Sequence, residues 1–128
     1  MGKTILGVLL GLLAGFVVVA GIEYLGHSLF PLPEKMDMTN MANVELYLEK
    51  IPFGALLMVI LAHFFGSASA IFTALKVSKK NLAAYIVGVL FFAATVANLF
   101  IIPHPTWFTV SDVVAIIIAM ILVFKYLK

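Results

Sequence analysis

The sequence of 128 residues contains no cysteine and no arginine. Without cysteine the chain cannot form a disulfide, a thiolate metal site or a cysteine nucleophile. Without arginine it lacks the planar, bidentate donor that proteins commonly use to bind phosphate and carboxylate groups. Charged residues make up only 11% of the sequence, against about 25% in an ordinary soluble domain. This shortage of charge predicts a chain that is solvated mainly by lipid.

Long apolar segments fill most of the sequence instead. Hydrophobic residues account for 64% of the chain, and its mean hydropathy is +1.19. A membrane-spanning helix needs about 20 mostly apolar residues, and four segments approach that length: 4–29, 51–75, 81–102 and 109–126. The sequence therefore predicts an all-α, integral membrane four-helix bundle that forms a single domain over residues 1–128.

The long connection, residues 30–50, contains its own pattern. Met41, Val44, Leu48 and Ile51 recur at helical spacing within and just after it. A polar segment with one apolar stripe is typical of a helix that lies in the membrane interface. We therefore predict a short amphipathic interfacial helix in the outer loop.

The lysines predict the orientation of the chain. Only Lys35 and Lys50 fall on one side of the predicted spans, and six of the eight lysines fall on the other: Lys3, Lys76, Lys79, Lys80, Lys125 and Lys128. The positive-inside rule then places both termini in the cytoplasm. The expected location is the inner (plasma) membrane, with multiple passes, and the dispersed lysines do not indicate nucleic-acid binding.

Small residues predict how the helices pack. Gly7, Gly11 and Gly15 lie on one face of the first span, and Gly66 and Ala70 form a small face in the second. Small residues let helix backbones approach closely, and van der Waals packing then replaces the hydrophobic effect that lipid cannot supply. We favour packing within one chain, although a homo-oligomer through the same face remains an alternative.

The polar residues of the predicted spans gather toward the outer side. Estimated from the rise of 1.5 Å per helical residue, most of them lie at one level, with one histidine deeper, near the midplane. The candidate ligand-binding residues are Glu23, His27, His63, Asn98, His104 and Asp112. Four of them are also candidate ligands of a divalent metal ion: Glu23, His27, His63 and His104.

Each candidate also has a structural interpretation. The acid and the imidazole of the first helix lie one turn apart and can pair with each other. Asp112 can favour the N-terminus of the last helix, with Ser111 as its cap. His63 can hydrogen-bond to Ser67, one turn away. An ionisable residue deep in a membrane span nevertheless indicates function by default, and the combination favours a polar pocket.

Methionines in the outer loop suggest a narrower alternative. Met36, Met38 and Met41 stand in the segment MDMTNM, and thioether clusters can bind Cu(I). Methionine also fills irregular apolar contacts, and no cysteine supports a copper site here. We therefore do not favour copper as a cofactor.

Three functions remain open at this stage. The first is the binding of a small polar ligand or cation, such as a metal ion or a proton, in an outward-facing pocket of Glu, His and Asp. The alternative is a membrane enzyme that uses His and carboxylate acid–base chemistry on a lipid or lipophilic substrate. The third is a structural or accessory membrane subunit. In all three the lipid bilayer is the expected partner.

The segments EYLGHSLFP, LAHFFGSASA and ANLFIIPHPTWF together resemble a group of small bacterial four-helix membrane proteins. The resemblance implies the four-helix fold, but it brings no activity and no catalytic residues. Small multidrug transporters differ, because their glutamate lies near the middle of the first helix whereas Glu23 lies at its end. Four-helix glutathione-linked membrane enzymes depend on arginine, which this chain lacks.

The lysine distribution generates a prediction about topology. Reporter fusions at either terminus or at residue 78 should report the cytoplasm, and a fusion near residue 40 should report the exterior. Measurement with paired reporters that are active on opposite sides of the membrane tests this. An exterior signal from residue 78 would reverse the orientation.

Overall fold

The computed structural model describes residues 1–31 and 39–127, and this part of the chain is helical apart from short connections. Four helices are long and apolar enough to cross a membrane, the last when its C-terminal extension is included. The all-α prediction is confirmed. The helices are α1 (Gly2–Leu29), α2 (Met41–Lys50), α3 (Phe53–Ser78), α4 (Asn81–Ile101) and α5 (Thr106–Leu122), and a π-helical turn, Val123–Leu127, extends α5.

Proline and one unusual backbone conformation set the helix boundaries. Pro52 and Pro105 occupy the N-cap positions of α3 and α5, where the missing N–H of proline costs little. Because Pro105 stands there, α5 begins at Thr106 and not at the predicted residue 109. At the other end of α3, Lys79 adopts a left-handed conformation, with φ of 54° and ψ of 26°, and this turns the chain directly into α4.

Helix α3 is the centre of the bundle. It contacts α1, α4 and α5, and α1 also contacts α4, whereas α1 and α5 do not touch within the described residues. Successive long helices run in opposite directions. At the histidine end of the bundle, which contains His27 and His104, α1 and α4 finish and α3 and α5 begin. The opposite end, which contains Lys79 and Lys80, is the lysine end.

The predicted glycine face of α1 packs on α3 of the same chain. A Cβ atom added at Gly7 would lie 2.8 Å from Ser78 Cβ, and one at Gly11 would lie 2.7 Å from the Ala70 carbonyl oxygen. At Gly15 the nearest atoms would be Ala70 Cβ and Phe91 Cε2, both at 2.7 Å. The two helix backbones are therefore too close to admit any side chain at these three positions.

The two candidate small residues of α3 form the other side of this contact. Gly66 is buried against α1, and a Cβ added there would collide with Val19 Cγ2. Ala70 is fully buried. The small face predicted for the second span therefore meets the glycine face predicted for the first.

The apolar core and the polar groups occupy different halves of the bundle. The core lies toward the lysine end, where alanines of α3 and α4 allow close packing around a few larger side chains. Its buried members are Ala70, Ile71, Ala74, Leu75, Ala83, Ala84, Val87, Phe91 and Val123. Toward the histidine end the helices leave cavities, which contain most of the predicted site residues.

Helix α2 has the predicted amphipathic pattern. Val44 is buried, Leu48 and Ile51 are half-buried, and Glu45 is exposed. The side chain of Asn40 caps the helix by accepting a hydrogen bond of 3.1 Å from the Ala42 backbone N–H.

The α1–α3 contact generates a prediction about stability. Gly11→Ala should lower the free energy of unfolding by about 1–3 kcal/mol, because the added methyl group meets a backbone carbonyl that cannot move aside. Gly21→Ala is the matched control, since nothing lies within 4 Å of a Cβ at that position. It should leave stability unchanged or raise it by up to about 1 kcal/mol through helix propensity.

Unfolding of the purified protein in detergent micelles, followed by circular dichroism, measures both changes. Equal stability of the two variants would contradict the close contact.

Candidate functional site

A buried histidine–aspartate pair joins α3 to α5. His63 Nδ1 lies 2.9 Å from each of the two carboxylate oxygens of Asp112. The side chain of His63 is 8% exposed and that of Asp112 is fully buried. An ionised carboxylate can accept hydrogen bonds but cannot donate them. Nδ1 of His63 therefore carries the proton and donates it. This contact fixes both the tautomer and the orientation of the imidazole ring.

The pair corrects three structural interpretations of these residues. Asp112 lies in the second turn of α5, since that helix begins at Thr106, and so it does not serve the helix N-terminus. Ser111 is inside the helix and exposed, so it is not the cap. Ser67 does not bond to His63, because its hydroxyl donates to the Phe64 carbonyl oxygen at 3.0 Å.

The largest group of predicted site residues surrounds one cavity at the histidine end, which we call the main cavity. Its volume is about 290 Å³. Four of the six candidates line it: Glu23 and His27 from α1, Asn98 from α4, and His104 from the α4–α5 connection. Most of the remaining wall is apolar, and α3 contributes several of its side chains, for example Met58.

A smaller inner cavity of about 210 Å³ lies deeper in the bundle. His63 lines it, together with Thr95 and the stacked rings of Phe16 and Phe91, whose centroids are 5.8 Å apart. Glu23 and Asn98 line both cavities. The two spaces are therefore neighbours that share one carboxylate and one amide.

The free ring nitrogen of His63 is the polar atom that the pair leaves available. Both oxygens of Asp112 are engaged with Nδ1, and the described residues give Nε2 no hydrogen-bond partner. With the proton held on Nδ1, a neutral ring presents a lone pair at Nε2. His63 can therefore accept a hydrogen bond or a proton from a molecule in the inner cavity.

Asp112 lines neither cavity. It lies behind His63 and contacts the imidazole, which is where a residue that positions the ring would lie. In the described part of the chain, Glu23 and His27 form no ion pair with each other, so the pairing of these two residues within α1 is not observed.

His104 is polar but poorly satisfied. Its Nδ1 atom is buried and has no hydrogen-bond partner among the described residues, and its ring stacks on Phe108 with the centroids 4.7 Å apart. Burial lowers the pKa of His104, and the neighbouring His63 lowers it further. The Ile102 backbone and the Asp112 carboxylate favour the charged ring, but they offset only part of this effect.

Two aromatic residues of the main cavity were not among the candidates. Tyr47 of α2 and Phe30, just after α1, both line it, and burial raises the pKa of the Tyr47 phenol. A Cβ added at Gly54 would meet the ring of Phe30, so that glycine provides the space for the ring. The sequence feature that could have indicated Tyr47 as a lining residue is its position four residues before Ile51, which lines the same wall.

The four candidate metal ligands do not form a metal site in the described part of the chain. No group of three or more His, Asp or Glu side chains in the described residues is arranged to hold a metal ion. The predicted ligands Glu23, His27 and His104 share the main cavity without forming such a group, and His63 is turned toward Asp112. In the methionine segment, Met36 and Met38 lie outside the described residues.

No family model matches the chain, and comparisons with curated proteins and with solved structures found no match. The function must therefore be argued from the site itself.

The buried pair generates a prediction about coupling. Asp112→Leu should destabilise the protein by about 1–3 kcal/mol or more, because it leaves the buried His63 N–H without an acceptor. The double variant His63→Leu/Asp112→Leu should cost less than the sum of the two single variants, with a coupling of about 1 kcal/mol or more.

Unfolding in detergent micelles measures the cycle. Ser111→Leu, on the exposed side of the same helical turn, is the matched control and should change stability by no more than about 0.5 kcal/mol. Additive effects of the two single substitutions would show that the pair is not energetically coupled.

Proposed function

We propose that this chain is a multi-pass membrane protein that binds a small polar ligand in the main cavity, which opens to the exterior. The four long helices expose large apolar side chains along their lengths; Leu9, Phe65, Val89 and Ile121, one from each helix, are 60%, 48%, 63% and 56% exposed. Such a surface suits hydrocarbon, whereas in water it would drive aggregation.

Charge supports the orientation. Lys76, Lys79, Lys80 and Lys125 lie at the lysine end, and the described acidic residues lie toward the histidine end. The positive-inside rule then favours a cytoplasmic lysine end with both termini on that side. In this orientation the main cavity faces outward, and α2 lies beside it in the outer interface.

The observation that carries the proposal is the convergence of Glu23, His27, Asn98 and His104 on one cavity. Ligand sites are generally concave and mostly apolar, with a few convergent polar groups, and they measure about 300–1,000 Å³. At about 290 Å³ the main cavity lies at the small end of this range. We therefore expect a small ligand, with its polar part toward these four side chains.

His63 and Asp112 then have distinct roles. Through its Nε2 atom, His63 contacts whatever reaches the inner cavity, and Asp112 positions the imidazole from behind. Buried polar residues in membrane proteins are costly and generally serve a ligand, an ion or a proton. A protein in which these groups only locked the helices together would not need two cavities lined by the same carboxylate.

One observation favours the enzyme alternative. An imidazole whose Nδ1 is held by a carboxylate, with its Nε2 free, has the geometry of a general base. The space in front of His63 is only about 210 Å³, which is small for a lipid substrate. Binding is therefore the better-supported function, and chemistry at His63 is the second candidate.

Ligand binding can be tested with a panel of small polar solutes in a thermal-unfolding assay in detergent. A solute present at 100 times its Kd should stabilise the protein by about 2.7 kcal/mol. Asn98→Leu should abolish this shift, because it removes a polar group from both cavities and fills part of each. Asn81→Leu, the same substitution at the exposed start of α4, should preserve it.

If no solute stabilises the unsubstituted protein, or if Asn98→Leu responds as fully as the unsubstituted protein does, the proposed function is wrong. Unfolding of each variant without solute shows whether it is folded.

A further inference from the structure

The charge of the cavity walls is negative. Of the described residues that line the two cavities, Glu23 is the one side chain ordinarily charged at neutral pH, and none is a lysine. Asp112 adds a second carboxylate directly behind His63. The neighbouring His104 contributes little compensating charge, because its buried ring is harder to protonate than a free histidine. An anion would therefore meet repulsion here, whereas a cation would be attracted.

Aromatic rings reinforce the preference for positive charge. Phe30 and Tyr47 line the main cavity, and Phe16 and Phe91 line the inner one. Aromatic faces attract cations through the ring quadrupole, most strongly where water is excluded. The two carboxylates and the four rings thus favour the same sign of ligand charge.

The chemistry of the walls separates organic cations from metal ions. A transition-metal ion needs several His or carboxylate ligands at bonding distance, and the described residues offer no group of three. An organic ammonium group needs one carboxylate and an apolar enclosure. The main cavity supplies both, since Glu23 stands beside a wall that includes Met58, Val59 and Ile102.

We propose that the ligand of the main cavity is a small organic cation, an amine or a quaternary ammonium with an apolar body, whose charge is paired with the carboxylate of Glu23. This inference rests on the proposed function, because it names the chemical class of the ligand for that same site. The apolar body packs against α3, and the positive group lies where Glu23 and Asn98 border both cavities.

Three probes of similar size and different charge test the inference: benzyltrimethylammonium, benzyl alcohol and phenylacetate. Binding to the full chain in detergent micelles is measured by equilibrium dialysis and by thermal unfolding. Benzyltrimethylammonium should bind, and phenylacetate should not. Glu23→Gln should weaken binding of the cation about tenfold or more, because the negative charge that pairs with the cation is lost. Glu45→Gln, the same change at an exposed position on α2, should leave binding unchanged.

The outcomes distinguish the two proposals. If phenylacetate or benzyl alcohol binds as well as the cation, or if Glu23→Gln binds the cation like the unsubstituted protein, the cation assignment is overturned. The proposed function then stands if Asn98→Leu still abolishes binding of whichever probe binds. If neither these probes nor any member of the solute panel binds, both proposals fail.

Discussion

The backbone contact between α1 and α3 is the constraint on which the rest of the structure depends. Three glycines, one on each successive turn of α1, remove every side chain from one face over the lysine half of the bundle. Van der Waals packing over this face replaces the hydrophobic effect, which is weak between helices in lipid. Beyond Gly15 the pattern stops, and Val19 projects toward Gly66. The main cavity and the inner cavity lie from this region toward the histidine end.

The two halves of the bundle contribute differently to its stability. Toward the lysine end, small residues give a dense apolar core, and the buried Ser78 hydroxyl is satisfied by the Ala74 carbonyl oxygen of its own helix. Toward the histidine end, the bundle contains a buried carboxylate, a buried imidazole and a ring nitrogen of His104 that has no hydrogen-bond partner among the described residues. A buried charge pair contributes little net stability compared with well-packed apolar side chains. Binding sites are generally assembled at a cost in stability, and these buried polar groups are consistent with the ligand site proposed above.

The helices and the glycine contact follow from local properties of the sequence. Apolar length, proline and residue size act within one helix or across one turn, so they can be interpreted without the tertiary structure. The gathering of Glu23, His27, Asn98 and His104 at one level follows from counting helical rise along each span.

The pairing of His63 with Asp112 cannot be predicted from helical rise, because it depends on the rotation of α5 about its axis. That rotation is set by packing against α3 and by the start of the helix after Pro105. Tyr47 was missed for a similar reason, since its place in the cavity lining depends on where α2 lies relative to the long helices.

The position of Asp112 so late in the chain has a consequence for synthesis. His63 and Asp112 are 49 residues apart, and α5 contacts α3 and α4 but, within the described residues, not α1. A chain that enters the membrane from its N-terminus can therefore dock α1 on α3 as soon as α3 is made. The imidazole of His63 meanwhile stays without its acceptor until the last helix arrives. A ribosome-bound chain that ends before α5 would therefore hold the His63 N–H without its acceptor.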